Sequence, residues 1–177
     1  MIPIGPLMRE HRLIERLIEQ MTSREKTFRA DGIVDPLFVE TVADFFRMYA
    51  DRCHHGKEED ILFRDLARRK LDPAHAEIMK ELVEEHKLGR RLVGQLVDAK
   101  ERYGKGDDAA FSEILDTLRE LADFYPKHIF KEDKQFFYPC MEYFSSKEKD
   151  EMLEEFWKFD RQLVHERYER IVNELEK

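Results

Sequence analysis

The stretch HHGKEEDILF, residues 54–63, sets His54 four residues before Glu58, and HIFKEDKQFFYP, residues 128–139, sets His128 four residues before Glu132. Side chains four apart on a helix stack on one face and reach the same point. Each pair therefore offers one imidazole to one metal ion and one carboxylate that can bridge to a second. Nitrogen and oxygen donors mixed in this way suit iron or manganese in octahedral geometry, as a matched or a mixed pair. A thiolate zinc site is excluded, because Cys53 and Cys140 are the only cysteines. The ferritin-like pattern, Glu-x-x-His on two helices, is missing too, since no histidine has a glutamate three residues before it.

The segments around these pairs read at helical period, with proline and glycine sparse and clustered between them. Gly5 and Pro6 open a first helix, expected to run to about Phe28. Residues 29–36 form a loop in which Asp35 caps and Pro36 starts the second helix; Asp72 and Pro73 repeat the device for the third. Residues 104–107, GKGD, end the third helix and cap a fourth. Ser145 and Glu148 match a capping box that opens a fifth helix, about 146–176. No strand-like alternation, internal repeat or low-complexity tract stands out. Short loops favour antiparallel neighbours. The expected fold is all-α: an up-and-down antiparallel four-helix bundle over about 6–144 with an additional C-terminal fifth helix, in one domain over 1–177.

Each helix has an apolar stripe, such as Phe38, Val42, Phe45, Phe46, Tyr49 and Cys53 in the second, and these stripes are read as core. On wheels at about 100° per residue, His11 falls near the stripe of the first helix, His86 inside that of the third, and His128 and Glu132 inside that of the fourth. His54 and Glu58 border the stripe of the second, whereas His55 and Glu59 point well away. A lone histidine in such a place is an ordinary core residue; one on each of four helices needs a common explanation. They also share a height. Glu58 lies fourteen residues before Asp72 and His86 fourteen after it. His11 and His54 are matched in the same way about the first loop, and His128 falls about one turn from His86. A buried layer of imidazoles and carboxylates needs partners, and a metal is the simplest common one.

The net charge of −8 argues against a nucleic-acid partner, which favours a basic face. No segment approaches the roughly 18 uninterrupted apolar residues of a membrane span. The opening MIPIGPLMREH lacks a signal-peptide core. A cytoplasmic location is expected, with both cysteines as free buried thiols.

Carrying REH up to His11, HHGKEEDILF from His54, EEH up to His86 and HIFKEDKQFFYP from His128, in this order and spacing, the chain resembles the hemerythrin-like (HHE) cation-binding family over most of residues 7–140. The resemblance implies a non-haem di-iron centre, two iron ions bridged by carboxylates and by an oxo or hydroxo group. It implies terminal imidazole ligands at His11, His54, His86 and His128 and bridges at Glu58 and Glu132. In the classical oxygen carriers the third helix has two histidines four apart, and the last bridge is an aspartate five after its histidine. Here Leu82 and Arg90 stand four to either side of His86. Asp133 has the aspartate spacing, yet the wheel favours Glu132. The set is closer to family members that repair damaged iron–sulfur centres or sense iron than to the oxygen carriers.

His165, in the fifth helix and near His128 in height, is a candidate further ligand or else a boundary histidine bonded to a carboxylate. His75 is structural, in the first turn of the third helix. Pro126 is expected to kink the fourth helix beside the site, and Tyr125 and Glu85 are candidate relays. Six protein ligands, two of them bridging, fill about eight of the twelve positions around two octahedral ions. The expected partner is therefore a small diatomic molecule or peroxide. The first reading is binding or sensing of dioxygen, nitric oxide or peroxide, or handling of iron. The second is a di-iron enzyme reducing peroxide or nitric oxide or repairing iron–sulfur centres. The third is a metal-free helical phosphotransfer or interaction module, which predicts one exposed reactive histidine.

Overall fold

Helix ends fall largely where the capping residues put them. The computed structural model describes residues 2–160 and 162–177, with side chains throughout that range except at 162–166. Helix α1 spans Ile4–Asp31, three residues beyond the expected end. Gly32, at φ 70, closes it by donating its N–H to the Phe28 carbonyl at 2.9 Å, in a left-handed conformation open to glycine without steric cost. Helix α2 opens over Pro36–Phe45, with Asp35 accepting from the Leu37 N–H at 2.9 Å. It then widens into π-helix over Phe46–His55 and again over Glu58–Phe63, and ends with the turn Arg64–Leu66. Helix α3 spans Pro73–Gly104 under the Asp72 cap. Helix α4 runs over Ala109–Lys131, passing Pro126 without ending, and continues through a π-helical turn at Glu132–Phe136 into Phe137–Met141.

The expected fifth helix is two helices. Helix α5, Ser146–Phe159, opens on the Ser145–Glu148 capping box and stops at Asp160, which is extended; helix α6 is Gln162–Leu175. The Asp160 carboxylate is held by the buried Lys57 ammonium. That tie, at a residue type that favours ends over helix interiors, marks the break.

Among the described residues there is no strand, and no helix is long and apolar enough to cross a membrane. In the bundle α3 packs along α2 and α4, and α1 packs along α4 and the π-helical part of α2. Helix α5 lies on Glu58–Phe63, and α6 on α1 and on Phe46–His55. The core falls into two apolar clusters. One contains Leu13, Leu17, Phe45, Leu96, Leu118 and Leu121; the other contains Ile4, Leu7, Leu62, Leu82, Phe136 and Phe156. Between them lie His11, His54, Glu58, His86, His128 and Glu132, none more than 2% exposed. Two apolar blocks thus enclose one polar layer.

Leu17 is fully buried in the first block. Leu17→Ala should cost about 2–5 kcal/mol, read from the denaturant midpoint of the metal-free chain. A loss below about 1 kcal/mol would mean that the block is loosely packed.

Candidate metal centre

Four imidazoles converge on the layer, each anchored by its outer nitrogen. Nδ1 of His11 donates to Asp133 Oδ1 at 2.8 Å, that of His54 to Glu10 Oε2 at 2.8 Å, that of His86 to Glu59 Oε1 at 2.6 Å and that of His128 to Glu85 Oε2 at 2.8 Å. A neutral imidazole donating from Nδ1 presents a lone pair at Nε2, and carboxylates on the far nitrogen orient metal-ligating histidines in this way. The Nε2 atoms face Glu58 and Glu132. One Glu58 oxygen lies 3.5 Å from His54 Nε2 and the other 3.3 Å from His86 Nε2. One Glu132 oxygen lies 3.1 Å from His11 Nε2 and the other 3.2 Å from His128 Nε2. The same Glu132 oxygen that faces His128 lies 3.6 Å from His86 Nε2, so each carboxylate addresses imidazoles from different helices with both of its oxygens, as a bridging carboxylate must.

The inner atoms are close to one another, and His55 Nδ1 lies 3.4 Å from Asp51 Oδ1, but they lack hydrogen bonds. All four oxygens of Glu58 and Glu132, Nε2 of His86 and His128, and both ring nitrogens of His55 have no hydrogen bond among the described residues. The Nε2 atoms of His11 and His54 are 2.9 Å apart while both Nδ1 atoms donate elsewhere. Two lone pairs face each other there unless a proton or cation lies between them. Nitrogens bound at right angles to one ion, each about 2.1 Å away, sit about 3.0 Å apart, so the spacing suits a shared ion. Unmet burial costs several kcal/mol per charge. The donor set fits metal ions.

Charge points the same way. Each outer carboxylate has its own cation: Lys57 on Glu10, Arg12 on Asp133, Arg90 on Glu59 at 2.8 Å and Lys131 on Glu85 at 2.5 Å. The two inner glutamates are answered only by imidazoles. Burial pushes the His11 imidazole towards neutral, but Asp133 and Glu132 outweigh it and raise its pKa to about 10. His86 is likewise held well above the ordinary histidine range, with Glu132, Glu58 and Glu59 overcoming burial. Burial would raise Glu132, but His128, His11 and His86 hold it well below the usual carboxylate range. The centre calls for positive charge, and metal ions would displace the protons that otherwise supply it.

His55 corrects the wheel. It is 2% exposed and stacks on His86 at 3.9 Å. The π-helical stretch Phe46–His55 has a wider turn than the 100° step assumes, so His54 and His55 both face inward. Donor atoms of His55, His86 and His128 lie within 4.8 Å of one another, and so do those of His11, His54, Glu58 and Glu132. Burial first, then His86, His54 and His128, push the His55 pKa well below the ordinary range, leaving a neutral donor. Glu59, expected on the outer face, holds His86 instead. Asp133 serves His11 and Arg12, and Glu132 lies between the imidazoles. Glu85 is engaged with His128, and burial pushes the Tyr125 phenol far up, so it stays protonated. His75 bonds to the Tyr143 hydroxyl at 2.8 Å, outside the layer. His165 lies outside the described side chains. A cavity of about 190 Å³ between α2 and α3, walled by Asp51, Arg90 and Tyr125, reaches His55.

The layer has an internal repeat, contrary to the sequence expectation. The Glu-His pair at 10–11 recurs at 85–86, and the pattern H-x-x-K-E-[DE]-x-x-x-F at 54–63 recurs at 128–137. Equivalent residues do equivalent work. Glu10 and Glu85 hold His54 and His128, and Glu59 and Asp133 hold His86 and His11. Lys57 and Lys131 neutralise Glu10 and Glu85, and Phe63 and Phe137 stack on His86 and His11 at 5.9 and 5.7 Å. Identity at two nearly equal long offsets, 75 residues for the Glu-His pair and 74 for the longer pattern, was the signal that could have revealed these supporting residues. His55 has no counterpart, since Ile129 stands in its place.

The family model described as hemerythrin HHE cation binding domain matches residues 3–140 and, a second time, residues 80–177. The second match starts shortly before His86, as the repeat would have it. No curated protein and no solved structure matches the chain. The first match spans most of the chain and includes the whole layer, and the protein therefore belongs to the hemerythrin HHE cation-binding domain family.

Proposed function

We propose that the chain is a non-haem di-iron protein that binds or senses dioxygen, nitric oxide or peroxide. The observation that carries this reading is the set of eight buried nitrogen and oxygen atoms without hydrogen bonds around two fully buried glutamates, in a family that binds cations. In this reading His11 and His54 hold one ion, His55, His86 and His128 hold the other, and Glu58 and Glu132 bridge them. His55 supplies the further imidazole for which His165 was the sequence candidate. Mixed imidazole and carboxylate donors favour iron, with manganese the nearest substitute.

Five imidazoles and two bridging carboxylates fill about nine of the twelve positions around two octahedral ions. Five surround the ion with three histidines and four the other. The His11–His54 side would offer fewer protein donors than the side with three histidines, and an iron pair held by these residues would supply the chemistry for binding dioxygen, nitric oxide or peroxide. The protein's own part is to orient and to insulate. Glu10, Glu59, Glu85 and Asp133 fix the rings and raise their basicity. Phe63 and Phe137 cover two of them, and the apolar blocks above and below keep water out. The metal-free module is disfavoured, because it needs an exposed histidine; among the described side chains the layer histidines are buried and His75 is engaged by Tyr143.

Metal analysis and an ultraviolet–visible spectrum, before and after dithionite and air, test the reading. The expected result is about two irons per chain, with near-ultraviolet bands that bleach on reduction and return in air. A chain that contains no iron and takes up none anaerobically would contradict it. Sustained consumption of peroxide or nitric oxide with a reductant would make the protein an enzyme.

Among variants, Glu58→Ala and Glu132→Ala should each lose most of one ion, and His55→Ala should weaken the second ion. His75→Ala should leave metal content unchanged. If His75→Ala strips metal while both glutamate variants keep two ions, the layer is wrongly assigned. If His165→Ala lowers metal content and His55→Ala does not, the fifth donor is His165.

A further inference from the structure

The two halves of the layer differ in the cation behind them. Lys131, on Glu85, is 22% exposed, whereas Lys57, on Glu10, is fully buried. Asp160, at the end of α5, lies against Lys57. Its ammonium lies between Glu10 and Asp160, with Cys53 Sγ at 3.9 Å, and the Cys53 thiol donates to Asp160 at 3.3 Å. Asp160 is the residue at which the C-terminal helix pair breaks. A continuous line of charge contacts therefore runs from that break through Lys57 and Glu10 to His54.

Helix α6 meets the same part of α2 a second time. Tyr168, 1% exposed, packs its ring against Phe45 at 5.5 Å and Tyr49 at 5.8 Å and donates to Asp44 Oδ2 at 2.5 Å. At the end of α5, the Phe159 ring lies over Gly56; a Cβ there would come within 2.7 Å of the ring, which would have to shift. These contacts fall along or beside Phe46–His55, the π-helical stretch that turns both His54 and His55 inward.

We propose that docking of the α5–α6 pair and metal loading are linked, with Lys57 as the positioning residue that joins Asp160 to the His54 arm of the centre. The inference rests on the di-metal reading above. A metal ion on His54 fixes that ring, the ring fixes Glu10, and Glu10 with Lys57 fixes the helix junction. In the other direction, a docked junction holds the π-helical stretch in the register that presents His54 and His55. Linkage requires the two effects to be reciprocal. The outer arms on Arg12, Arg90 and Lys131 end in cations with 55%, 38% and 22% side-chain exposure and, among the described residues, make no ion pair with α5 or α6.

Amide hydrogen exchange over residues 167–175, compared between metal-free and iron-loaded full-length chain with iron content measured on each sample, tests the link. In the unaltered chain, loading should slow exchange there about tenfold or more. At saturating iron Asp160→Ala should still take up two irons, with weaker affinity, and lose the slowing. Lys57→Met should lose the slowing and weaken iron binding about 10–100-fold, and Lys57→Arg should restore part of both. The link is overturned if the unaltered chain takes up two irons with no change over 167–175, or if Asp160→Ala with two irons shows the full slowing. An unaltered chain that takes up no iron overturns the di-metal reading itself, and this inference with it.

Discussion

Glu58 and Glu132 lie side by side in the middle of an apolar bundle, fully buried, with only histidines as charge partners among the described residues. Two negative charges in that setting are tolerable only if cations come to them. Much of the rest follows from that demand. The four Nε2 atoms face the two carboxylates because four outer carboxylates hold the opposite ring nitrogens. Those outer carboxylates are tolerable in turn because each has a lysine or arginine. The arrangement alternates in sign from surface to centre, and the centre is where positive charge is still needed.

The halves are built from one pattern used twice, and the differences between them are informative. Symmetric use would give each half two histidines. The π-helical stretch in α2 breaks that symmetry by turning His55 inward beside His54, so one side gains a third imidazole while the other keeps room. The C-terminal helices break it again by burying Lys57 but not Lys131. Local backbone irregularity and the added helices thus convert a symmetric cage into one with two unlike sides.

The sequence made the bundle and most of the layer legible for physical reasons. Caps at Asp35, Asp72 and Ser145 are local, so helix starts could be read directly. Histidines on apolar stripes at one height identified His11, His54, Glu58, His86, His128 and Glu132, because burying such groups together is costly enough to be purposeful. His55 was misplaced because a wheel assumes a constant turn, and π-helical widening is set by tertiary packing. Lys57, Glu10 and Glu59 were passed over because a charged residue on a helix is normally solvated; Lys57 is buried between Glu10 of α1 and Asp160 at the end of α5. The break at Asp160 has the same origin, since the lysine that anchors it is distant in sequence.

Diffraction from crystals of the iron-loaded protein, recorded at the iron absorption edge, addresses the two-ion layer most directly. Two anomalous peaks are predicted between Glu58 and Glu132, one against His11 and His54 and one against His55, His86 and His128. A single peak, or peaks elsewhere such as beside Glu10, Cys53 and Asp160, would contradict it.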